Sequence, residues 1–261
     1  MNRREFIISL ASVAAFPKFG LAGNKDPNNL VDKLIAFSKT CKIPTVNGLE
    51  YFNPRPYQIE YFKRLVNSSK LICKKCRQCG ATTINLIYAN WKDTIAKNHN
   101  FISVWNSIDA VCLYQNYGSL FYKTHNYSNS NNCFVGLTYQ QFLSCFNEND
   151  DFSNSTYIFD EYAFYGSSKL NALIEKISQA KNSQVIVTST MNTHEDAFSK
   201  LFDEADESSR HVISCYDVYD YYKLNDLRST IGDKQFNLEY DVNSMLSCDL
   251  ASSHFFVPAF S

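Results

Sequence analysis

Residues 70–83 read Lys70-Leu-Ile-Cys-Lys-Lys-Cys-Arg-Gln-Cys-Gly-Ala-Thr-Thr83, and their order sets the class of fold. Lys70 to Lys75 is an apolar-cored strand, and the polar stretch to Thr82 is a tight loop. The helix that follows carries Ile84, Ile87, Tyr88, Trp91 and Ile95 on one face. A strand feeding a loop that opens a helix turns backbone N–H groups inward at the helix N-terminus, where they favour an anion. Gly80 and Thr82 fit the second Gly and the Ser/Thr of GxxxxGK[ST], whereas Lys75 stands at the first Gly position and Ala81 at the Lys position. Taken alone, this is half a match to a phosphate loop.

Downstream, strands and helices alternate. The pattern predicts strands at Phe101–Trp105, Phe134–Leu137, Thr156–Phe159, Gln184–Thr188 and His211–Cys215. Ser107 caps a predicted helix running to about Phe121, and further helices are expected over Lys169–Ala180 and Glu195–Ala205. The Asn/Ser-rich run Asn126–Asn132 is a surface loop. Upstream, Asn53-Pro-Arg-Pro56 punctuates the chain, and Tyr57, Tyr61, Phe62, Leu65 and Val66 follow at helical spacing. Such alternation implies an α/β fold, a parallel sheet with helices on both faces that binds ligands at the C-terminal strand ends. Residues 1–52 read as an N-terminal segment with one short apolar helix at Leu30–Phe37, and residues 53–261 as one domain.

A second strand end carries chemistry. Tyr157-Ile-Phe-Asp-Glu161 is an apolar run ending in two acids. Asp160 at the strand tip is placed to hold a Mg2+-bound water, and Glu161 to orient or deprotonate a water attacking a γ-phosphate. The plainer reading is an acidic turn closing a buried strand. The chemical reading requires the loops around Gly80 and Asp160 to meet at adjacent strand tips.

Composition narrows the alternatives. The 261 residues are 45% apolar, enough for one sizeable core, and a net charge of −1 leaves no basic footprint for nucleic acid. Nine scattered cysteines do not form a disulfide framework. Cys73, Cys76 and Cys79 have the CxxCxxC form of a thiolate metal site, but no second cluster follows, so buried thiols are the simpler expectation. Arg3 and Arg4, the apolar run from Ile8 to Phe16 and Leu21-Ala-Gly23 have the form of a twin-arginine export signal; the other reading is an amphipathic helix. Its apolar run is too short to span a bilayer, and no membrane partner is expected.

Five motifs in order resemble the ATPase domain of phage terminase large subunits. Arg77-Gln-Cys-Gly-Ala-Thr-Thr83 is similar to that family's Arg-Gln-x-Gly-Lys-Thr-Thr loop. Tyr157-Ile-Phe-Asp-Glu-Tyr-Ala-Phe164 resembles its hydrolysis motif, and Val185-Ile-Val-Thr-Ser-Thr-Met-Asn192 its coupling motif. Pro56-Tyr-Gln58 sits where the family has a glutamine that reads adenine, and Phe236-Asn-Leu-Glu-Tyr240 resembles a helix near the end of its ATPase domain.

The resemblance implies a RecA-like, ASCE-type P-loop fold that binds ATP and Mg2+ and drives double-stranded DNA into a prohead from the host cytoplasm. Portal protein, a terminase small subunit and a homo-oligomeric ring would be its partners. It carries nucleotide-binding roles onto Gln58, Lys75, Gln78, Cys79, Gly80, Ala81, Thr82 and Thr83, and γ-phosphate coupling onto Thr188, Ser189 and Thr190. Thr82 and Asp160 would serve the metal, and Glu161 the attacking water. Arg77 becomes a cis arginine for the γ-phosphate or, alternatively, a loop arginine paired with an acidic neighbour. Two departures stand out. Ala81 removes the usual loop lysine, leaving Lys75 or Lys74 to supply its charge, and no nuclease activity is expected of this chain. The alternatives are a nucleotide-binding relic without turnover, an exported protein that is no ATPase, and a helicase-like ATPase.

Overall fold

The computed structural model describes residues 27–45, 47–96, 98–112, 133–191 and 196–241. The signal-like segment, the loop at Asn126–Asn132 and Asn192 lie outside them. Helix α1 (Pro27–Ser38) leads into a short antiparallel hairpin, β1 (Lys42–Thr45) and β2 (Gly48–Tyr51). Then come α2 (Pro56–Asn67), β3 (Lys70–Lys75), α3 (Ala81–Ile95), β4 (Asn100–Trp105), β5 (Cys133–Thr138), α4 (Tyr139–Cys145) and β6 (Ser155–Asp160). The chain continues through α5 (Ser168–Gln179), β7 (Gln184–Ser189), α6 (Ala197–Glu204) and β8 (Arg210–Ile213). It closes with α7 (Cys215–Val218), α8 (Tyr221–Ile231) and α9 (Asp233–Glu239).

Strands β3 to β8 form one sheet in the order β5-β4-β6-β7-β3-β8, with every pairing parallel. Near-continuous burial along β6 and β7 is what a parallel sheet covered on both faces demands. The side chains divide by the two-residue period of a strand. Leu71, Cys73, Ile158 and Ile186 pack towards α1, α2 and α3, in a core with Tyr61, Phe62, Leu65, Ile84, Ile87 and Trp91. Ile72, Tyr157, Phe159, Val185 and Val187 pack on the other face with α4, α5 and α6. Leu170, Leu173, Ile174 and Ile177 give α5 its apolar stripe, each fully buried and contributing roughly 1.5–3 kcal/mol by burial.

The structure differs from the sequence reading in two places. The strands carrying the two loops are not neighbours: β7 lies between β3 and β6, because a parallel sheet need not follow chain order. Helix α4 was not foreseen; Thr138 caps it, accepting a bond from the Gln141 amide while Gln141 Oε1 accepts from the Thr138 amide. Residues 27–52 add Leu34, Cys41 and Phe52 to the first core, buried with the helices of residues 53–261. Among the described residues no helix is long and apolar enough to cross a membrane.

Candidate functional site

The strand period decides which side chains meet beyond the sheet's C-terminal edge. Lys75 shares a face with Leu71 and Cys73, Asp160 with Ile158, and Thr188 with Ile186, so all three project beside the N-terminus of α3. Lys74 falls on the opposite face, its ammonium 5.7 Å from the centre of the Phe202 ring. Burial lowers its pKa, against the pull of Asp203, Asp196 and Asp241.

Both oxygens of Asp160 accept hydrogen bonds. Its Oδ1 accepts from the Thr188 hydroxyl at 2.6 Å and from the Glu161 amide at 3.0 Å, and its Oδ2 accepts from the Thr82 hydroxyl. The Thr82 bond ties the helix after the first loop to the strand of the second across the intervening β7. Burial raises the Asp160 pKa, while the Lys75 charge and the two hydroxyl donors oppose the rise. Glu161 takes a left-handed backbone at φ 54°, a costly conformation for a residue with a Cβ, and it lifts the side chain out of the strand direction. Its Oε1 meets the Lys75 ammonium at 2.5 Å. Its Oε2 is buried and has no hydrogen-bond partner among the described residues. Burial disfavours the Lys75 ammonium, but Glu161 and Asp160 more than offset it and hold the pKa above that of an ordinary lysine. The Ser189 hydroxyl accepts from the Ala163 amide at 3.0 Å, tying the turn after the acids to β7. Thr190, 5% exposed, follows that strand.

The first loop is held from both sides. Gln78 and Gly80 have positive φ, 58° and 80°, and Gly80 starts α3 by accepting the Ile84 amide at 3.0 Å. The Cys79 carbonyl accepts from the Tyr57 hydroxyl at 2.9 Å and from Gln58 Nε2 at 3.4 Å. Gln58 Oε1 is spent on the Arg55 amide at 2.9 Å. On the other flank, the Arg77 amide donates to the Glu239 carbonyl at 2.7 Å, its guanidinium pairs with the Glu239 carboxylate at 2.6 Å, and Tyr219 donates to its carbonyl at 3.1 Å. Cys79 and Ala81 are buried in the core, Gln78 is exposed, and Thr82 and Thr83 are half-buried.

Lys75, Thr82, Asp160, Glu161 and Thr188 are thus brought together, while Arg77 is engaged by Glu239. Tyr57, Tyr219 and the pairing role of Glu239 were not read from the sequence. Tyr57 lay in the Pro56–Gln58 motif and Glu239 in Phe236–Tyr240, but spacing could not show what either side chain bonds. The donor set suits Mg2+: Thr82 gives its proton to Asp160 and so keeps its oxygen lone pairs for a cation, and hard hydroxyl and carboxylate oxygens match that ion. Cys76 and Cys79 are both buried in the first core. No group of three or more His, Cys, Asp or Glu among the described residues is arranged to hold a metal.

No protein-family model and no curated protein matches the sequence. The fold is that of solved phage large terminases. The ATPase domain of the Thermus phage P74-26 large terminase is similar with a TM-score of 0.58 at 12% identity, over 73% of this chain and 94% of that one. The large terminase of bacteriophage HK97 is similar with a TM-score of 0.60 at 14% identity, over 82% of this chain and 55% of that one. A large terminase from a thermophilic bacteriophage, solved in complex with ADP, is similar with a TM-score of 0.52 at 13% identity, over 67% of this chain and 48% of that one. The chain spans about half the length of the latter two. What the likeness shows is the fold, which in this chain is an α/β arrangement on a six-stranded parallel sheet.

Proposed function

We propose that the chain is an ATP-hydrolysing motor domain of the large-terminase kind, which drives double-stranded DNA into a viral prohead. The observation that carries the reading is the cluster at the sheet edge. A buried ammonium bridges to Glu161, Asp160 holds the Thr82 hydroxyl, and Glu161 Oε2 stands buried with no partner among the described residues. The amides of Gly80, Ala81 and Thr82 at the start of α3 receive the phosphates, favoured by the helix N-terminus. Lys75 supplies the charge that Ala81 lacks. Bound phosphate competes with Glu161 for the Lys75 ammonium, which frees the carboxylate to act on water. Glu161 Oε2 then takes a proton from the water that attacks the γ-phosphate. Thr82 and Asp160 would hold Mg2+, which supplies charge neutralisation at the phosphates when bound.

Thr188 bonds Asp160 and Ser189 bonds the turn after Glu161, so β7 is coupled to the acids directly. Movement following phosphate loss is transmitted along that strand. Gln58 and Tyr57 fix the loop on the side where adenine enters. The partners this reading requires are the DNA, a portal protein, a small subunit and further copies of the chain in a ring, in the cytoplasm of the host cell.

ATP turnover by the full chain tests the proposal. Glu161→Gln is expected to cut turnover by about 10²–10⁴-fold while nucleotide binding persists. Equal turnover in that variant would sink the assignment.

A further inference from the structure

The CxxC within the phosphate loop plays no part in the chemistry above. We propose that Cys76 and Cys79 form a thiol–disulfide site, oxidised by a low-molecular-weight disulfide, whose closure shuts the nucleotide loop; the second half of this rests on the nucleotide-site reading. Three observations carry it. The chain turns over Arg77 and Gln78, so the two cysteines are the ends of a four-residue turn. Ends of such turns lie within about 7 Å, and a disulfide spans Cα atoms about 4.4–6.8 Å apart. Each cysteine is the largest influence on the other's pKa, so the two thiols are near neighbours, and both are buried in the same core. Cys79 also stands one residue ahead of the α3 cap, with the Lys75 charge near.

These surroundings divide the pair. The neighbouring Cys76 thiol lowers the Cys79 pKa against the effect of burial, with Lys75 and the Ala81 amide acting in the same direction. Cys79 beside it, and then burial, raise that of Cys76. A loop that attracts phosphate oxygens also favours a thiolate, and the thiolate is the nucleophile. In the first step the Cys79 thiolate attacks one sulfur of the small disulfide, forming a mixed disulfide and releasing one thiolate. In the second, Cys76 loses its proton to solvent and attacks the Cys79 sulfur, releasing the other thiolate. The cysteine pair is oxidised by two electrons and the small disulfide reduced to two thiols. Both sulfurs are buried, so exchange proceeds when the loop opens, and bound nucleotide protects them. The covalent link fixes the turn that presents the Gly80 and Ala81 amides, and the loop no longer adjusts to phosphate.

The experiment treats the full chain with oxidised glutathione, blocks free thiols, and reads both ATP binding and tryptic peptides. Trypsin cuts after Lys75, Arg77 and Lys92, so a Cys76–Cys79 link leaves the dipeptide Cys76-Arg77 attached to the peptide Gln78–Lys92. We expect that species, loss of ATP binding, recovery of binding with dithiothreitol, and slower linking when ATP is present. Cys76→Ser, or Cys76→Ala if the serine variant folds poorly, should bind ATP without oxidant and, once oxidant is added, carry glutathione on Cys79 in place of the internal link. Absence of the linked species, linkage of Cys76 to the neighbouring Cys215, or linkage with ATP binding intact each overturn the proposal. A reduced chain that binds no ATP instead overturns the nucleotide-site reading, and the linked peptide from the same sample still decides the thiol site.

Discussion

Lys75 and Ala81 together show where the positive charge at the proposed phosphate loop comes from. Position 81 lies in the core at 2% exposure, and the ammonium comes instead from the last residue of β3, aimed by the strand period at Glu161. Lys75→Met is therefore expected to lower ATP turnover about 10²–10³-fold, by analogy with removing one preorganised electrostatic group. Adding Ala81→Lys to that variant should not restore it, because a lysine side chain at 81 starts inside packed core. Rescue by the double variant, measured as turnover, would return the role to position 81. The motif around Gly80 identified Lys75 and Thr82 as candidates. It could not show that Lys74, one residue earlier, turns to Phe202, since that follows from which face of the sheet α6 covers.

At the scale of elements, the loop depends on one backbone conformation and on its contact with α2. Gly80 has φ +80°, and a Cβ there would lie 3.2 Å from Gln58 Nε2. Gly80→Ala should cost about 1–2 kcal/mol from left-handed strain alone, seen as a lower denaturation midpoint and weaker ATP binding. Wild-type stability and affinity in that variant would mean that the loop relaxes freely. Helix α4 makes a different kind of contribution. Phe142 is fully buried, with its ring 4.9 Å from Phe146, 6.2 Å from Tyr157 and 5.3 Å from Phe159. Phe142→Ala should destabilise the fold by about 3–5 kcal/mol, and urea unfolding checks it. A loss near zero would show that α4 is not anchored to the sheet. The helix escaped the sequence reading because seven residues with one fully buried side chain show too little periodicity, although its Thr138/Gln141 cap signature was present.

At the scale of the molecule, a polar network ties the N-terminal ends of β6 and β7 to α3, opposite the proposed nucleotide site. Lys92 donates to Thr156 at 2.9 Å and to Gln184 Oε1 at 2.7 Å, while Gln184 Nε2 donates to the Leu65 and Ser68 carbonyls at 2.7 Å. Burial lowers the Lys92 pKa to about 7 from 10.5, and burial with the Lys92 charge lowers that of His99 to about 4 from 6.5. Between pH 7 and 10.5 the unfolded chain holds a Lys92 proton that the folded chain has released, so this contribution to stability grows as pH rises and is lost as pH falls towards 7. His99 acts in the same sense between pH 6.5 and 4. The thermal midpoint of the wild type relative to Lys92→Met should rise from pH 7 to 10, and parallel profiles would refute the shift. None of this network was legible in the sequence, because Lys92, Gln184 and Thr156 are far apart in the chain and carry no motif. By itself the sequence determined the alternation of strands and helices, the two loops at strand ends and the residue types they offer, since periodicity and turn chemistry are local. Only the tertiary structure decided that β7 lies between the two loop-bearing strands, that Arg77 pairs with Glu239 while Lys75 pairs with Glu161, and that residues 27–52 share the core. Strand order, facing and partner choice are settled by which surfaces bury one another, and that is a property of the whole chain.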